Sequence, residues 1–227
     1  MHLMWEVPPR PLTEVAVDLE IVDPPTVDKL YFWALQVNFV DRGADRGGAH
    51  IGLQYHPGYP QAGAVNWGGY HPAGRGELEG STSELPSALD NVNTRTYRWE
   101  AGRRYRLRVL LTKPGHWRGA VSDTATGQET VIRDLFVEAE HLLRPMVWSE
   151  VFADCDHPST MVRWSNLQAT TADGGVVRAL SVRTNYQTFA NGGCANTNSF
   201  IDANGLGFCQ QTNIARANRA GSILTLP

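Results

Sequence analysis

The feature that most constrains this chain is a strict two-residue periodicity across residues 30–71. Over 30–40, Tyr31, Trp33, Leu35, Val37 and Phe39 alternate with Phe32, Ala34, Gln36 and Asn38. Over 49–56, Ala49, Ile51, Leu53 and Tyr55 alternate with His50, Gly52, Gln54 and His56, and over 64–71 Val65 and Trp67 alternate with Asn66, Gly68 and Tyr70. Successive side chains of a strand point to opposite faces, so this stretch predicts three consecutive strands, each with a core face. The opposite face is polar without being charged. A solvated sheet face ordinarily carries Lys, Glu, Arg and Thr, whereas this one carries Gln, Asn, His and Tyr.

The same periodicity recurs along the chain. Val15, Val17, Leu19 and Ile21 define an earlier strand; Tyr105, Leu107 and Val109 alternate with Arg104, Arg106 and Arg108 in a later one. DTATGQE at 123–129 reads as a hairpin turn, MVWSEVF and TMVRWSNLQATT as further strands, VVRALSVRT as one strand, and SILTL as the last. Residues 72–96 read as a long irregular connection with a short edge strand. The patch 135–145, FVEAEHLLRPM, is the one helix-like segment, closed by Pro145. Many short strands separated by Gly/Pro turns predict an all-β antiparallel two-sheet jelly-roll sandwich. At 227 residues such a sandwich fits in one domain, with an extended N-terminal arm over 1–12 and C-terminal strands plus a long loop over 173–227.

Composition excludes several roles. A net charge of −3 exerts no overall pull toward nucleic acid or an anionic membrane, and no apolar run is long enough for a membrane-spanning helix. No signal peptide is legible at the start. Of the three cysteines, Cys194 and Cys209 bracket a Gly/Asn-rich loop, and a bridge between them would imply an oxidising compartment; the alternative is three free thiols.

The succession AHIGLQ, AVNWGGY, YRWEAGRRYRLRV, WRGAVSDTATGQET, then WSEVF with VRWSNL resembles a bacterial family of mostly secreted jelly-roll domains with no defined activity. More distantly it is similar to the concanavalin A-like lectin and glucanase superfamily. The resemblance spans about residues 30–170. It implies a curved two-sheet sandwich, an extracellular setting and a glycan or polysaccharide as ligand.

On that basis Gln36, Asn38, His50, Gln54, Asn66, Tyr70, Trp148 and Glu150 are the expected binding residues. Sugars call for aromatic surface against their C–H faces and planar amides or carboxylates for their hydroxyls. The expected function is non-catalytic carbohydrate binding, Trp148 and Tyr70 stacking on sugar rings, with no cofactor. A polysaccharide lyase or glycoside hydrolase using Glu150, His50 or Tyr70 is the alternative. A retaining hydrolase, however, needs two carboxyl groups about 5–5.5 Å apart, and Glu150 stands alone on this face. An extracellular protein-interaction module, or a second layer burying the face as a polar network, is a further reading.

Asp41 and Asp45, flanked by glycines, are the candidate calcium ligands, with Arg42 and Arg46 near enough to neutralise them instead. His50 and His56 sit six residues apart on one strand, about 20 Å, too far to share an ion. The arginine cluster at 98–118 reads as a solvated face paired with acids.

Overall fold

A computed structural model describes all 227 residues. The strands are β1 (His2–Trp5), β2 (Leu12–Asp23), β3 (Tyr31–Asp41), β4 (Ala44–Tyr55), β5 (Gly63–Tyr70), β6 (Ser87–Ala88), β7 (Asn91–Thr96), β8 (Arg104–Lys113) and β9 (His116–Asp123). They continue with β10 (Glu129–Phe136), β11 (His141–Val151), β12 (Met161–Thr171), β13 (Val176–Arg178), β14 (Ser181–Asn185), β15 (Thr197–Ile201), β16 (Phe208–Thr212) and β17 (Ile223–Thr225). The expected all-β antiparallel sandwich is what forms. No helix is long and apolar enough to cross a membrane.

Pairing divides the strands into two layers. In one the order is β6-β7-β5-β4-β3-β11-β1-β14-β17. In the other it is β10-β9-β8-β2-β12, with β16 and β13 on successive parts of the far edge of β12 and β15 outside β16. The layers are joined at Leu142–Leu12. Between them lies a core of 37 buried residues, including Trp33, Leu35, Val37, Phe39, Ile51 and Trp67 from the first layer and Leu107, Val109, Trp117 and Trp164 from the second. Burial of this much apolar surface is the main force holding the layers together. The ring of Phe39 meets that of Trp117 at 5.4 Å. A Cβ at Gly119 would stand 2.5 Å from the Trp67 ring, so only glycine lets that indole lie flat on β9.

Several expectations fail for identifiable reasons. The patch 135–145 is not helical. Leu135, Val137 and Ala139 are buried while Phe136, Glu138 and Glu140 are exposed, so the period of two overrides the helix-forming composition. Pro145 sits at a register shift between Leu143 and Met146, the kind of bulge that tolerates a residue without an N–H. The N-terminal arm is no free extension: its first residues form β1, inserted between β11 and β14. VVRALSVRT breaks at Ala179–Leu180 into two strands, and the loop 188–205 contains β15.

The Cys194–Cys209 bridge is also wrong. Cys194 pairs with Cys155, Cα atoms 5.5 Å apart, and Cys209 is free and buried. Cys209 lies within β16, opposite Arg163 of β12, so sheet pairing takes it away from the loop. The arginine cluster meets the expected acids. Arg106 bonds Asp18 at 2.8 Å, Arg108 bridges Glu14 and Glu129, and Arg118 holds Asp134.

Candidate functional site

The register of the first layer decides which side chains can meet. Glu150 on β11 faces Phe32 on β3, which faces Gln54 on β4. One row along, Trp148 faces Ala34, then Gly52, then Asn66. The next row is Met146, Gln36, His50 and Gly68; Asn38, Gly48 and Tyr70 form the last. Directly opposed residues of an antiparallel ladder share a face, so all eight expected residues lie on one surface, turned away from the core.

Their surroundings differ from expectation. Trp148 is 7% exposed, wedged edge-on against Phe32 (4.8 Å) and His50 (5.7 Å). Its indole N–H donates to Gln36 Oε1 at 2.9 Å, and Gln36 Nε2 donates to the Tyr70 hydroxyl at 3.3 Å. Trp148 is therefore part of the floor and offers no stacking platform. Asn66 is buried and donates to Thr94 Oγ1. Burial holds the His50 imidazole down at about 4, so it is neutral above mildly acidic pH.

Two groups on this face keep unused chemistry. Gln54 is 5% exposed; its Oε1 accepts from the Tyr59 hydroxyl at 2.9 Å, and its backbone carbonyl accepts from the Trp99 indole at 2.9 Å. The Tyr59 bond orients the carboxamide, the Trp99 bond holds the backbone, and Nε2 is left as a donor with no partner in the chain. Glu150 has neither ion pair nor hydrogen bond on its carboxylate. Desolvation by its walls raises its pKa above the ordinary carboxylate value, partly offset by the Met1 amine nearby. The two Cα atoms are about 10 Å apart, two strand spacings, with Phe32 on the strand between them and its ring packed against Trp148 and His50 in the neighbouring rows.

Beside Glu150 opens a cleft of about 520 Å³. Trp148, Gln36 and His2 form its floor, Phe152, Ala153, Cys155 and His157 one wall, and Gln187, Asn191–Cys194 and Thr197 the other. The Cys155–Cys194 disulfide joins the two walls. Tyr59, Phe32 and both cleft walls went unrecognised in the sequence. Phe32 was legible as a member of the face; the cysteines were the one available signal for the walls, and their pairing was misassigned.

The acidic hairpin has other partners. Asp41 pairs with Arg46 at 2.6 Å, and Asp45 accepts from the Gly47 amide at 2.8 Å. No three His, Cys, Asp or Glu side chains converge anywhere in a way that could hold a metal ion.

No protein-family model matches this sequence, and no curated protein matches it by sequence. Solved structures do match the fold. One is scytalido-glutamic peptidase with a peptide-based transition-state analog, with a TM-score of 0.55 and 9% identity over 94% of this chain and 98% of that one. The same peptidase with a transition-state analog inhibitor gives 0.53 and 8%, over 94% and 97%. SCP-B, a member of the eqolisin family of peptidases in complex with the tripeptide Ala-Ile-His, gives 0.54 and 10%, over 94% and 98%. At such identities the likeness carries the fold. It also corrects the functional expectation: these solved structures, which share the architecture over nearly their full length, are described as peptidases. The carbohydrate-binding module, its lyase and glycosidase alternatives and the leaning toward a non-enzyme are withdrawn.

Proposed function

We propose that this protein is a peptidase in which Glu150 is the acid–base group and Gln54 the electrophilic partner. One observation carries the reading. A carboxylate without a partner, its pKa raised by desolvation, shares a cross-strand row with a carboxamide whose N–H₂ is unused. The fold that holds them is the fold of proteins described as glutamic peptidases.

The chemistry follows from the positions. A peptide lying across the face would bring its carbonyl between the two side chains. Glu150 takes a proton from a water molecule, whose oxygen attacks the carbonyl carbon; Gln54 Nε2 donates to the oxygen as it gains charge. As the C–N bond breaks, the protonated Glu150 returns that proton to the leaving amine. The raised pKa suits this double duty, because a stronger base is a better proton acceptor and still gives the proton up. Tyr59 holds Gln54 Oε1, which orients Nε2 toward the site rather than the oxygen, as a preformed donor should be.

The test is hydrolysis of denatured protein and of internally quenched peptides across acidic to neutral pH, followed by mass spectrometry of the products. New peptide termini from the wild type and none from Glu150→Gln are expected. Equal turnover by the two proteins would remove Glu150 from the chemistry and end the proposal.

The finer expectation of a secreted setting is kept as part of this proposal, supported by the Cys155–Cys194 disulfide, since such bonds persist in oxidising compartments. A thiol titration of the unfolded, unreduced protein should find one reactive cysteine per chain, Cys209; three would argue for a reducing compartment.

A further inference from the structure

We infer that the cleft beside Glu150 selects a peptide side chain bearing an uncharged carboxamide, that of glutamine or asparagine. The inference rests on the peptidase reading of Glu150 and names the substrate feature that the site would recognise.

Charge is the first argument. Glu150 carries the one carboxyl among the lining side chains, and the Met1 amine, lowered by burial to about 6, is the other titratable group beside it. The two lining histidines are held neutral by burial, His2 down to about 4 and His157 below its ordinary value. An aspartate or glutamate side chain in the cleft would meet the Glu150 carboxylate with no lysine or arginine in the lining to pair with it. A lysine or arginine would pair with Glu150, lower its pKa and weaken it as a proton acceptor. Both charges are disfavoured for different reasons.

Hydrogen-bonding capacity is the second. Gln187 Nε2 donates to the Asn191 backbone carbonyl, and Gln187 Oε1, without a partner in the chain, is an available acceptor. The Asn191 carboxamide has no partner in the chain and offers both a donor and an acceptor. A glutamine or asparagine side chain brings the complementary donor and acceptor; an aliphatic side chain of the same size would strand those groups. A cleft of about 520 Å³ accommodates such a side chain and its neighbours, within the usual range of 300–1,000 Å³ for ligand sites.

Rigidity is the third. A wall discriminates between side chains only if it holds its position. The hydrogen bonds of Asn191, Gly192 and Gly193 backbone amides all stay within the loop, to Thr188, Phe189 and Thr188. The loop is fastened to the rest of the molecule at its end. Cys194 is disulfide-bonded to Cys155, and its carbonyl accepts from Arg216 Nη2 at 2.6 Å. Arg216 also bonds Thr197 and lies 4.0 Å over the Tyr186 ring. A Cβ at Gly193 would stand 2.1 Å from the Gln187 carbonyl, so glycine is what lets the chain close tightly behind Gln187.

The experiment uses a series of fluorescent hexapeptides with alanine and glycine backbones and one variable residue: Gln, Asn, Leu, Phe, Asp or Lys. Binding is measured by anisotropy to the full-length Glu150→Gln protein, and cleavage by the wild type. In the binding series Gln and Asn peptides should bind about tenfold tighter than Leu, the value of roughly one well-formed hydrogen bond. The double variant Gln187→Leu, Asn191→Ala should reduce that ratio to about one. Equal affinity across the series, or tighter binding of Leu or Phe, overturns the inference even if the wild type cleaves peptides. Failure of the wild type to cleave any peptide overturns the peptidase reading, while the binding ratio still decides what the cleft prefers. A ratio that survives the double variant also overturns it, because the selectivity would then lie elsewhere.

Discussion

The two outward faces of this sandwich solve opposite problems. On the second layer charges are matched: Asp18 with Arg106, Glu14 and Glu129 with Arg108, Glu20 and Asp202 with Arg163, Asp134 with Arg118. On the first layer ion pairs lie toward the periphery, Arg183 with Glu6 and Arg46 with Asp41, while around the cleft the groups are neutral amides, an imidazole held uncharged and one carboxylate with no ion-pair or hydrogen-bond partner. Ion pairs that satisfy one another have nothing left for a substrate. The face with unused valence is the one where chemistry can happen, although to a count of charges it is the blander of the two.

The sharpest way to break that contrast is to neutralise one acid on each face. Glu150→Gln should lower kcat/KM by at least about 10³-fold, the scale on which loss of a central catalytic group is felt, with the fold unchanged by circular dichroism. Asp18→Asn should leave kcat/KM within about twofold but reduce unfolding free energy by about 3 kcal/mol, because it strands Arg106 beside a nearly buried site. Comparable activity losses in both would erase the distinction.

The Glu150 change should also stabilise the protein in one pH range. Its folded pKa lies above the ordinary value, so the folded state favours the protonated form and gives up stability as pH rises through that pKa. Glu150→Gln removes this loss. Urea midpoints of variant and wild type should coincide at low pH and separate toward neutrality with the variant higher. A variant that is less stable at neutral pH would show that the carboxylate is structurally supported after all.

Removing the second group on the active face comes next in size. Gln54→Ala should cost about 10²–10³-fold in kcat with KM little changed, as loss of a preformed donor to a developing oxyanion does. Tyr59→Phe frees the carboxamide to rotate while leaving it present, so a smaller loss of about tenfold is expected. If Tyr59→Phe matched Gln54→Ala, orientation alone would account for the role of Gln54.

How much of this was legible beforehand depends on the range over which each feature is determined. Gln36, Asn38, His50, Gln54, Asn66 and Tyr70 could be placed on one face because strand parity is a local property, readable residue by residue. Trp148 and Glu150 followed by the same rule. What parity cannot say is whether a face residue is free. Trp148 became part of the floor because Phe32 and His50 close on it, and Gln54 was capped by Tyr59 from the turn beyond β4. The cleft walls were out of reach for a related reason: loops 152–157 and 187–197 meet only when β12, β15 and β16 have docked, and the Cys155–Cys194 pairing spans 39 residues. The glutamate and glutamine of the proposed site form no sequence motif, since register, not spacing, puts them in one row.

The disulfide borders the cleft on the first face and gives the next test. Cys155→Ser with Cys194→Ser should raise KM by about tenfold with kcat within twofold, since the loop wall loses its fastening while Glu150 and Gln54 stay on their strands. Unfolding free energy should drop by about 2–4 kcal/mol. A fall in kcat instead would mean that the cleft wall reaches the reacting atoms.

The smallest expected effect lies on the ion-paired face, and it tests whether pairing there is structural support or mere charge balance. Glu14 and Arg108 are each about a third exposed at the side chain, and Arg108 keeps Glu129 at 2.6 Å if Glu14 is lost. Glu14→Gln therefore strands no charge and should cost no more than about 0.5 kcal/mol, in the range of partly exposed pairs. Because such pairs are screened by ions, the difference between variant and wild type should shrink as salt rises from 0.05 to about 0.5 M, whereas the Asp18→Asn deficit should persist. Equal salt sensitivity in the two variants would mean that Asp18 is as open to solvent as Glu14, and that this face has no buried anchor.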